Sequence, residues 1–246
     1  MYKYYEPFGH HVWGKDIGST WLSLIKAVLE HGEITYDERR QRKSIQNVVF
    51  QIENLDLPDK LLDKYAQKKN IEALIDLTFE SNQMRDFDVR PSFSPGAKSY
   101  HARITEARML EYVIKRLSTI PESKKAVMSF IEWHDYKAIL DTPYDDYLPC
   151  HTTVQFRLLE KSDKYVLNII THFRSIDAYQ KSCGDFVVTA MLAEKVKIEL
   201  SKTLKLPIKF GSMMGVITDA HVYEECYTDA EQLINKATLE LKESEL

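Results

Sequence analysis

At 246 residues and 44% apolar, the chain is long enough to bury one large core, and a single domain spanning 1–246 is expected. Its net charge is −4, with acidic and basic residues mixed and no long basic tract, which argues against a general polyanion-binding surface; no DNA partner is expected. No apolar run approaches the roughly 20 residues that span a bilayer, and the opening "MYKYYEPFGHHVWG" lacks an apolar signal core, so a cytoplasmic protein with no membrane partner is expected.

In chain order, "STWLSLIKAVLE" (19–30) places Trp21, Leu22, Ile25, Val28 and Leu29 on one helical face, with Ser19 or Thr20 as N-cap and Gly32 beyond the end. The basic run "DERRQRKS" (37–44) follows as a connection, then "SIQNVVFQIEN" (44–54), whose β-branched residues predict a strand. Helices are expected over "LPDKLLDKYAQ" (57–67), "IEALIDLTFES" (71–81) and "ITEARMLEYVIKRLSTI" (104–120), with a polar loop up to Lys98 between the last two. "KKAVMSFIEW" (124–133), "CHTTVQFRLLE" (150–160) and "YVLNIITHFRS" (165–175) read as strands, the last two joined by a turn in "EKSDK". "FVVTAMLAEKVKIELSKTL" (186–204) predicts a helix, "IKFGSMMGVITDAHVY" (208–223) a strand, and "DAEQLINKATLELKESEL" (229–246) a closing helix. Hairpins and helices alternate without βαβ regularity, which predicts an α+β fold, a mainly antiparallel or mixed sheet covered by helices.

Cys150, Cys183 and Cys226 have no CxxC spacing and are too few for a disulfide framework, so no metal site is expected and each is judged singly. Cys150 lies in "LPCHTTVQF". Alone, that cysteine reads first as a small buried hydrophobe. Together, "LPCHTTVQF", "FRSIDAYQKSCGDF" and "TDAHVY" resemble the thymidylate synthase family, in the family's order and at about its separations. The resemblance implies a thymidylate synthase-like fold, a homodimer formed through the sheet, a pyrimidine nucleoside monophosphate as substrate and 5,10-methylenetetrahydrofolate as co-substrate.

The chemistry gives these residue types a reason to stand together. A pyrimidine C5 becomes nucleophilic only after something adds to C6, and a thiolate is well suited to that addition. The resemblance gives this role to Cys150. It places Arg174 beside the thiol, where a cation lowers a cysteine pKa and also holds the nucleotide phosphate. It assigns Ser175 to phosphate, Asp177 to the folate pterin, and His221 and Tyr223 to the sugar 3'-hydroxyl. The last two alternate in an extended run and so share a face. His151 is a neighbour of the site or a packed structural histidine. Cys183 is read as packing.

Eleven residues beyond Arg174 stands Asp185, at the position that reads the base. Thymidylate synthases carry asparagine there, and the family members acting on cytosine nucleotides carry aspartate. In the N-terminal half, "YDERRQRKS" lies where the family has a phosphate-clamping arginine, Arg39 being the first choice and Arg40 the second. "NIEALIDLTFESN" overlays the helix with a catalytic glutamate, which is Glu72. There a carboxylate with a raised pKa organises water, unless it is an ordinary helix-surface glutamate. "SYHARI" resembles the tyrosine loop near the folate, giving Tyr100, with His101 where glycine is usual.

Two departures from the family stand out. The paired arginines that reach a partner's phosphate are Lys124 and Lys125 here, which keep charge but lose the bidentate fork. The family's apolar C-terminal tail is replaced by the charged "KESEL", which fits a wetter site. The resulting expectation is folate-dependent C5 hydroxymethylation of a cytosine nucleotide, dCMP or CMP. The alternative is methylation of dUMP by a thymidylate synthase. A third reading, a non-catalytic nucleotide- or RNA-binding homologue, is separated from both by release of the C5 hydrogen.

Overall fold

The structure is a computed structural model and describes residues 2–5, 9–37, 40–85, 97–141, 147–161 and 164–243. Its centre is a nine-stranded mixed sheet, the α+β arrangement expected from sequence. Helix α1 (Ile17–His31) begins one turn before the expected cap: Asp16 accepts from the Ser19 amide at 2.8 Å, while Ser19 Oγ accepts from the Asp16 amide at 3.2 Å. Ser19 is therefore the third helical residue of a capping box, and Gly32 closes the helix by donating to the Val28 carbonyl at 2.8 Å. The buried side of α1 carries Trp21, Leu24, Ile25 and Val28, each contributing about 1.5–3 kcal/mol on burial. Trp21 Nε1 also donates to the Ala178 carbonyl at 3.1 Å, fixing α1 to the turn before the longest helix.

Strands β1 (Tyr2–Tyr5) and β2 (Gly9–Gly14) precede α1, and β3 (Glu33–Asp37) and β4 (Arg40–Ile52) follow it. The sequence reading missed the first three, and it ended the connecting basic run too late. From Arg40 onward that run is strand, paired Asp37↔Arg40 to Glu33↔Ser44. Its polar residues are tolerated because β3 is an exposed outer strand that buries none of its own residues.

In β4 the register against the long strand β9 (Ile208–Tyr223) runs on through Gln46↔Asp219 and Val48↔Ile217. The buried side nevertheless changes: Ile45 and Val48 are both buried across the exposed Gln46 and Asn47. Asn47 takes the left-handed conformation, φ 57, which Asn tolerates better than most residues. Beside it Gly9 has φ 97, and a Cβ there would lie 2.3 Å from the Asn47 carbonyl oxygen. This kink re-aims the first half of β4 toward the end of β9 that carries His221 and Tyr223.

Helix α2 (Lys60–Tyr65) falls within its expected segment, and α3 (Lys68–Phe79) begins three residues before the expected 71–81. The segment 104–120 is two helices rather than one. α4 (Tyr100–Glu106) and α5 (Met109–Thr119) meet at Arg108, which has φ 50. Strand β5 (Val127–Ser129) is only three residues long, and Trp133 opens an unexpected helix α6 (Trp133–Asp141). β6 (His151–Lys161) and β7 (Lys164–Phe173) form the expected antiparallel pair, with the turn at 162–163 outside the described residues. The expected loop before Lys98 also lies largely outside them. β8 (Ile176–Asp177), α7 (Ser182–Leu204) and α8 (Tyr227–Glu243) complete the chain with β9.

The sheet order is β1-β2-β4-β9-β7-β6-β5, with β3 added to β4 and β8 to β9. β2/β4, β7/β9 and β8/β9 are parallel, the other pairs antiparallel. One sheet face is buried beneath helices. The opposite face leaves Val49, Val127, Leu159, Ile170, Met214 and Val216 exposed. Among the described residues no helix is long and apolar enough to cross a membrane.

Candidate active site

Cys150 ends the irregular segment that enters β6, and Arg174 follows the last residue of β7. Because these strands are antiparallel neighbours, the two residues meet: the Arg174 amide donates to the Cys150 carbonyl at 2.9 Å. The guanidinium is anchored on backbone, with Nε to the Pro149 carbonyl at 3.1 Å and Nη2 to the Leu148 carbonyl at 2.5 Å. Nη2 also lies 3.8 Å from Cys150 Sγ. A fixed cation beside a half-buried thiol favours the thiolate, the form that acts as nucleophile. Cys183 and Cys226 are buried, and burial pushes the Cys183 thiol up to about 12, which leaves it inert.

Cys150 opens on a cleft lined by Leu74, Met84, Tyr100, Tyr147, Lys181 and Asp185. Asp185 stands in the first turn of α7 and is only 5% exposed. Burial chiefly pushes the Tyr100 and Tyr147 phenols above their ordinary range, so at neutral pH both keep their protons and can donate. Tyr100 Oη accepts from the His151 amide at 3.1 Å. Tyr147 lies over the Arg103 guanidinium at 5.7 Å. Arg103 is itself clamped by Asp135 at 2.8 and 2.7 Å and by the Phe130 carbonyl at 2.7 Å. This ion pair is buried, and removing one partner would strand the other charge at a cost of about 3–5 kcal/mol. It therefore gives the cleft wall a stiff back.

His151 is a packed side chain, and its ring does not line the cleft. It stacks on Phe173 with centroids 4.3 Å apart, faces Phe130, and places Nε2 2.6 Å from Thr171 Oγ1. Burial pushes its pKa down to about 3, so it is neutral. Of the two readings, a neighbour of the site or a packed structural histidine, the ring's contacts are those of the packed residue, while its backbone amide reaches the cleft wall at Tyr100.

At the other end of the site, His221 and Tyr223 stand together near the end of β9 with ring centroids 4.9 Å apart. Their surroundings are heavily bonded. Arg42 Nη1 and Nη2 reach Asp219 at 2.8 and 3.2 Å, and Nη1 lies 3.0 Å from His221 Nδ1. Asp219 Oδ1 is 3.1 Å and Ser175 Oγ 3.4 Å from the same ring nitrogen. Burial alone would raise the Asp219 pKa, but the His221 hydrogen bond and the Arg42 charge outweigh it and hold the carboxyl below its ordinary value. Arg40 covers the Tyr223 ring at 4.9 Å. Asp177, buried beside this group on β8, accepts from the Tyr179 and Gln180 amides at 3.0 and 2.9 Å and from Gln180 Nε2 at 2.7 Å.

The structure thus brings Cys150, Arg174, Ser175, Asp177, Asp185, His221, Tyr223, Tyr100 and Arg40 into one region. Arg39 lies outside the described residues. Glu72 is exposed on α3 rather than enclosed by apolar neighbours, and Leu74 is the α3 side chain that lines the cleft. Lys124 and Lys125 are exposed before β5, at the far edge of the sheet from β9. Sequence reasoning missed Tyr147, Lys181, Arg42 and Asp219. The two charged residues of β4 and β9 were findable, since a buried pairing of those strands demands a partner for each.

Residues 63–246 match the family described as thymidylate synthase. Two similar proteins, each named "Putative thymidylate synthase", come from Methanosarcina mazei and Methanosarcina barkeri. The first is 22% identical over 231 residues, 92% of this chain and 95% of its own length. The second is 21% identical over 228 residues, with the same coverage of both chains.

Proposed function

The chain belongs to the thymidylate synthase family of folate-dependent one-carbon transferases, and from that premise we propose that it hydroxymethylates C5 of a cytosine nucleoside monophosphate. The observation that carries this reading is Asp185, a buried carboxylate sharing a cleft with Cys150, at the position where thymidylate synthases have asparagine. An asparagine amide offers both a donor and an acceptor, matching uracil N3-H and O4. A carboxylate offers only acceptors, which suits the N4 amino group of cytosine.

In this reading the Cys150 thiolate, favoured by Arg174, forms a bond to C6 and pushes electron density onto C5. Arg174 and Ser175 receive the phosphate with Arg40. His221 and Tyr223 hold the sugar, the former oriented by Asp219 and Arg42. Leu74, Met84 and Tyr100 form a largely apolar wall suited to a flat ring such as a pterin, and the family resemblance adds Asp177, buried on β8. Methylenetetrahydrofolate, when bound, supplies the one-carbon unit. A hydroxymethyl product then needs water at the new carbon, whereas a methyl product needs hydride and water exclusion. The reading is tested by the mass of the product formed from CMP, dCMP, UMP or dUMP with methylenetetrahydrofolate. Hydroxymethylated cytosine nucleotide is expected; methylated dUMP overturns it in favour of a thymidylate synthase.

The same reading includes a two-fold dimer across the bare sheet face. Val127, Gln155, Ile170 and Met214 lie directly opposite one another on successive strands, with Val49 and Val216 paired beside them. A contiguous apolar face of this kind needs covering. A dimer there also gives the exposed Lys124 and Lys125 a partner's phosphate to reach. Sedimentation at micromolar concentration is expected to give a dimer, and a monomer with full activity would overturn it.

A further inference from the structure

Lys181 precedes Asp185 by one helical turn at the start of α7, where the Asp185 amide donates to the Lys181 carbonyl at 2.9 Å. Residues four apart on a helix share a face, and both side chains line the cleft that holds Cys150. Asp185 is buried; Lys181 is half-buried at the rim. The charge of Lys181 also acts on the Tyr223 phenol of β9. The other titratable groups facing the pair are Tyr100 from α4, Tyr147 and Cys150 from the segment before β6, and Tyr223 from β9.

A cytosine edge offers an N4 amino donor and an N3 acceptor. A carboxylate alone accepts from N4 but leaves N3 facing an acceptor, so the base or the carboxyl must take up a proton. An ammonium has donors and no acceptor. The missing half of the pattern is therefore present one turn away.

We infer that Lys181 is a specificity-determining residue: its ammonium donates to N3 while the Asp185 carboxylate accepts from N4, and the pair reads neutral cytosine without proton uptake. This rests on the cytosine reading above. Uracil reverses both groups, setting N3-H against the ammonium and O4 against the carboxylate, so each mismatch excludes it.

Calorimetry of CMP and dCMP binding separates the cases. It is done in the Cys150→Ser background, which removes turnover and the thiol's own titration. Buffers of different ionisation enthalpy are used between about pH 7.5 and 8.5, above the phosphate ionisation near 6. The parent is expected to bind with no net proton uptake and with pH-independent affinity. Lys181→Met should bind about 10- to 100-fold more weakly and take up about one proton, with affinity falling as pH rises. Lys181→Arg, which keeps a donor, should retain the parent's flat profile, and unchanged melting of both variants establishes that they are folded. Uptake of about one proton by the parent, or parent-like binding by Lys181→Met, overturns the role of Lys181 alone. Tighter binding of dUMP than of either cytosine nucleotide sinks the cytosine reading itself.

Discussion

The two ends of the site are held in place by different means. At the His221 end, proposed to hold the sugar, side chains bond to side chains: Arg42, Asp219, His221 and Ser175 form one network with contacts of 2.8 to 3.4 Å. At the Cys150 end, proposed to carry the reaction, the anchors are backbone and packing. Arg174 is fixed by the carbonyls of Leu148 and Pro149 and reaches Cys150 at 3.8 Å, and Tyr147 leans on Arg103. The difference fits what the proposed function asks of each end. Hydroxyl recognition requires donors and acceptors that stay put, and a bonded network provides this. A nucleophile changes its bonding during reaction, so a scaffold that holds its neighbours while leaving the sulfur free to bond is the better support.

Breaking the reacting end should have the largest effect. Cys150→Ser removes the thiolate while leaving Arg174 on its carbonyls, so nucleotide binding survives. Exchange of the C5 hydrogen with solvent should fall by a factor on the order of 10⁴ or more, as when other enzymes lose a nucleophile. Tritium release from C5-labelled nucleotide measures it, and release at the parent rate would end the covalent mechanism.

A smaller effect, on binding, is expected at the sugar end. Arg42→Met leaves Asp219 and His221 without the guanidinium that braces both, so His221 loses its fixed orientation. KM for the nucleotide should rise by about tenfold, in line with the loss of one buried charged hydrogen bond, while kcat changes much less. Arg42→Lys restores the charge without the fork and should recover only part of the loss. An equal fall in kcat with unchanged KM would place Arg42 at the reacting end and erase the contrast.

The reacting centre was more legible in the sequence than its support. Cys150, Arg174, Asp185, His221 and Tyr223 sit in short runs whose residue types the chemistry demands, so their joint order carried information. Tyr147 and Lys181 lie within or beside the same runs, yet a tyrosine before a proline and a lysine in a turn have many ordinary explanations; only the cleft shows that they face Cys150. Glu72 had two readings in the sequence, catalytic or helix-surface, because helical periodicity marks a buried side without telling which neighbour covers each position; in the structure it is exposed. The break at Arg108 was invisible for a related reason. The apolar period of 104–120 continues through it, and a left-handed residue leaves no mark on composition. The short edge strand β3 escaped because its exposed, polar pattern is what makes it an edge.

His151 offers the finest test of the contrast, because it is the packed wall directly behind Cys150. Its pKa is pushed down to about 3, first by burial, with the nearby His172 acting in the same direction. In the unfolded chain the ordinary value is 6.5. Above that value the imidazole is neutral in both states and costs nothing. Between 6.5 and about 3 the unfolded state takes up a proton that the folded state refuses. Stability is therefore full above the unfolded value and falls with acid, by about 1.4 kcal/mol per pH unit from this group. His10, lowered by burial and by His31, acts in the same direction, so the whole-protein slope is not diagnostic. Comparison with His151→Gln isolates the term, since the amide keeps a partner for Thr171 but does not titrate. Urea unfolding at fixed protein concentration, which matters for any oligomer, should show the variant losing about 2 kcal/mol less than the parent between about pH 6.5 and 5. Parallel pH profiles would mean that His151 is already open to water in the folded protein, and that the reacting end does not depend on its packing.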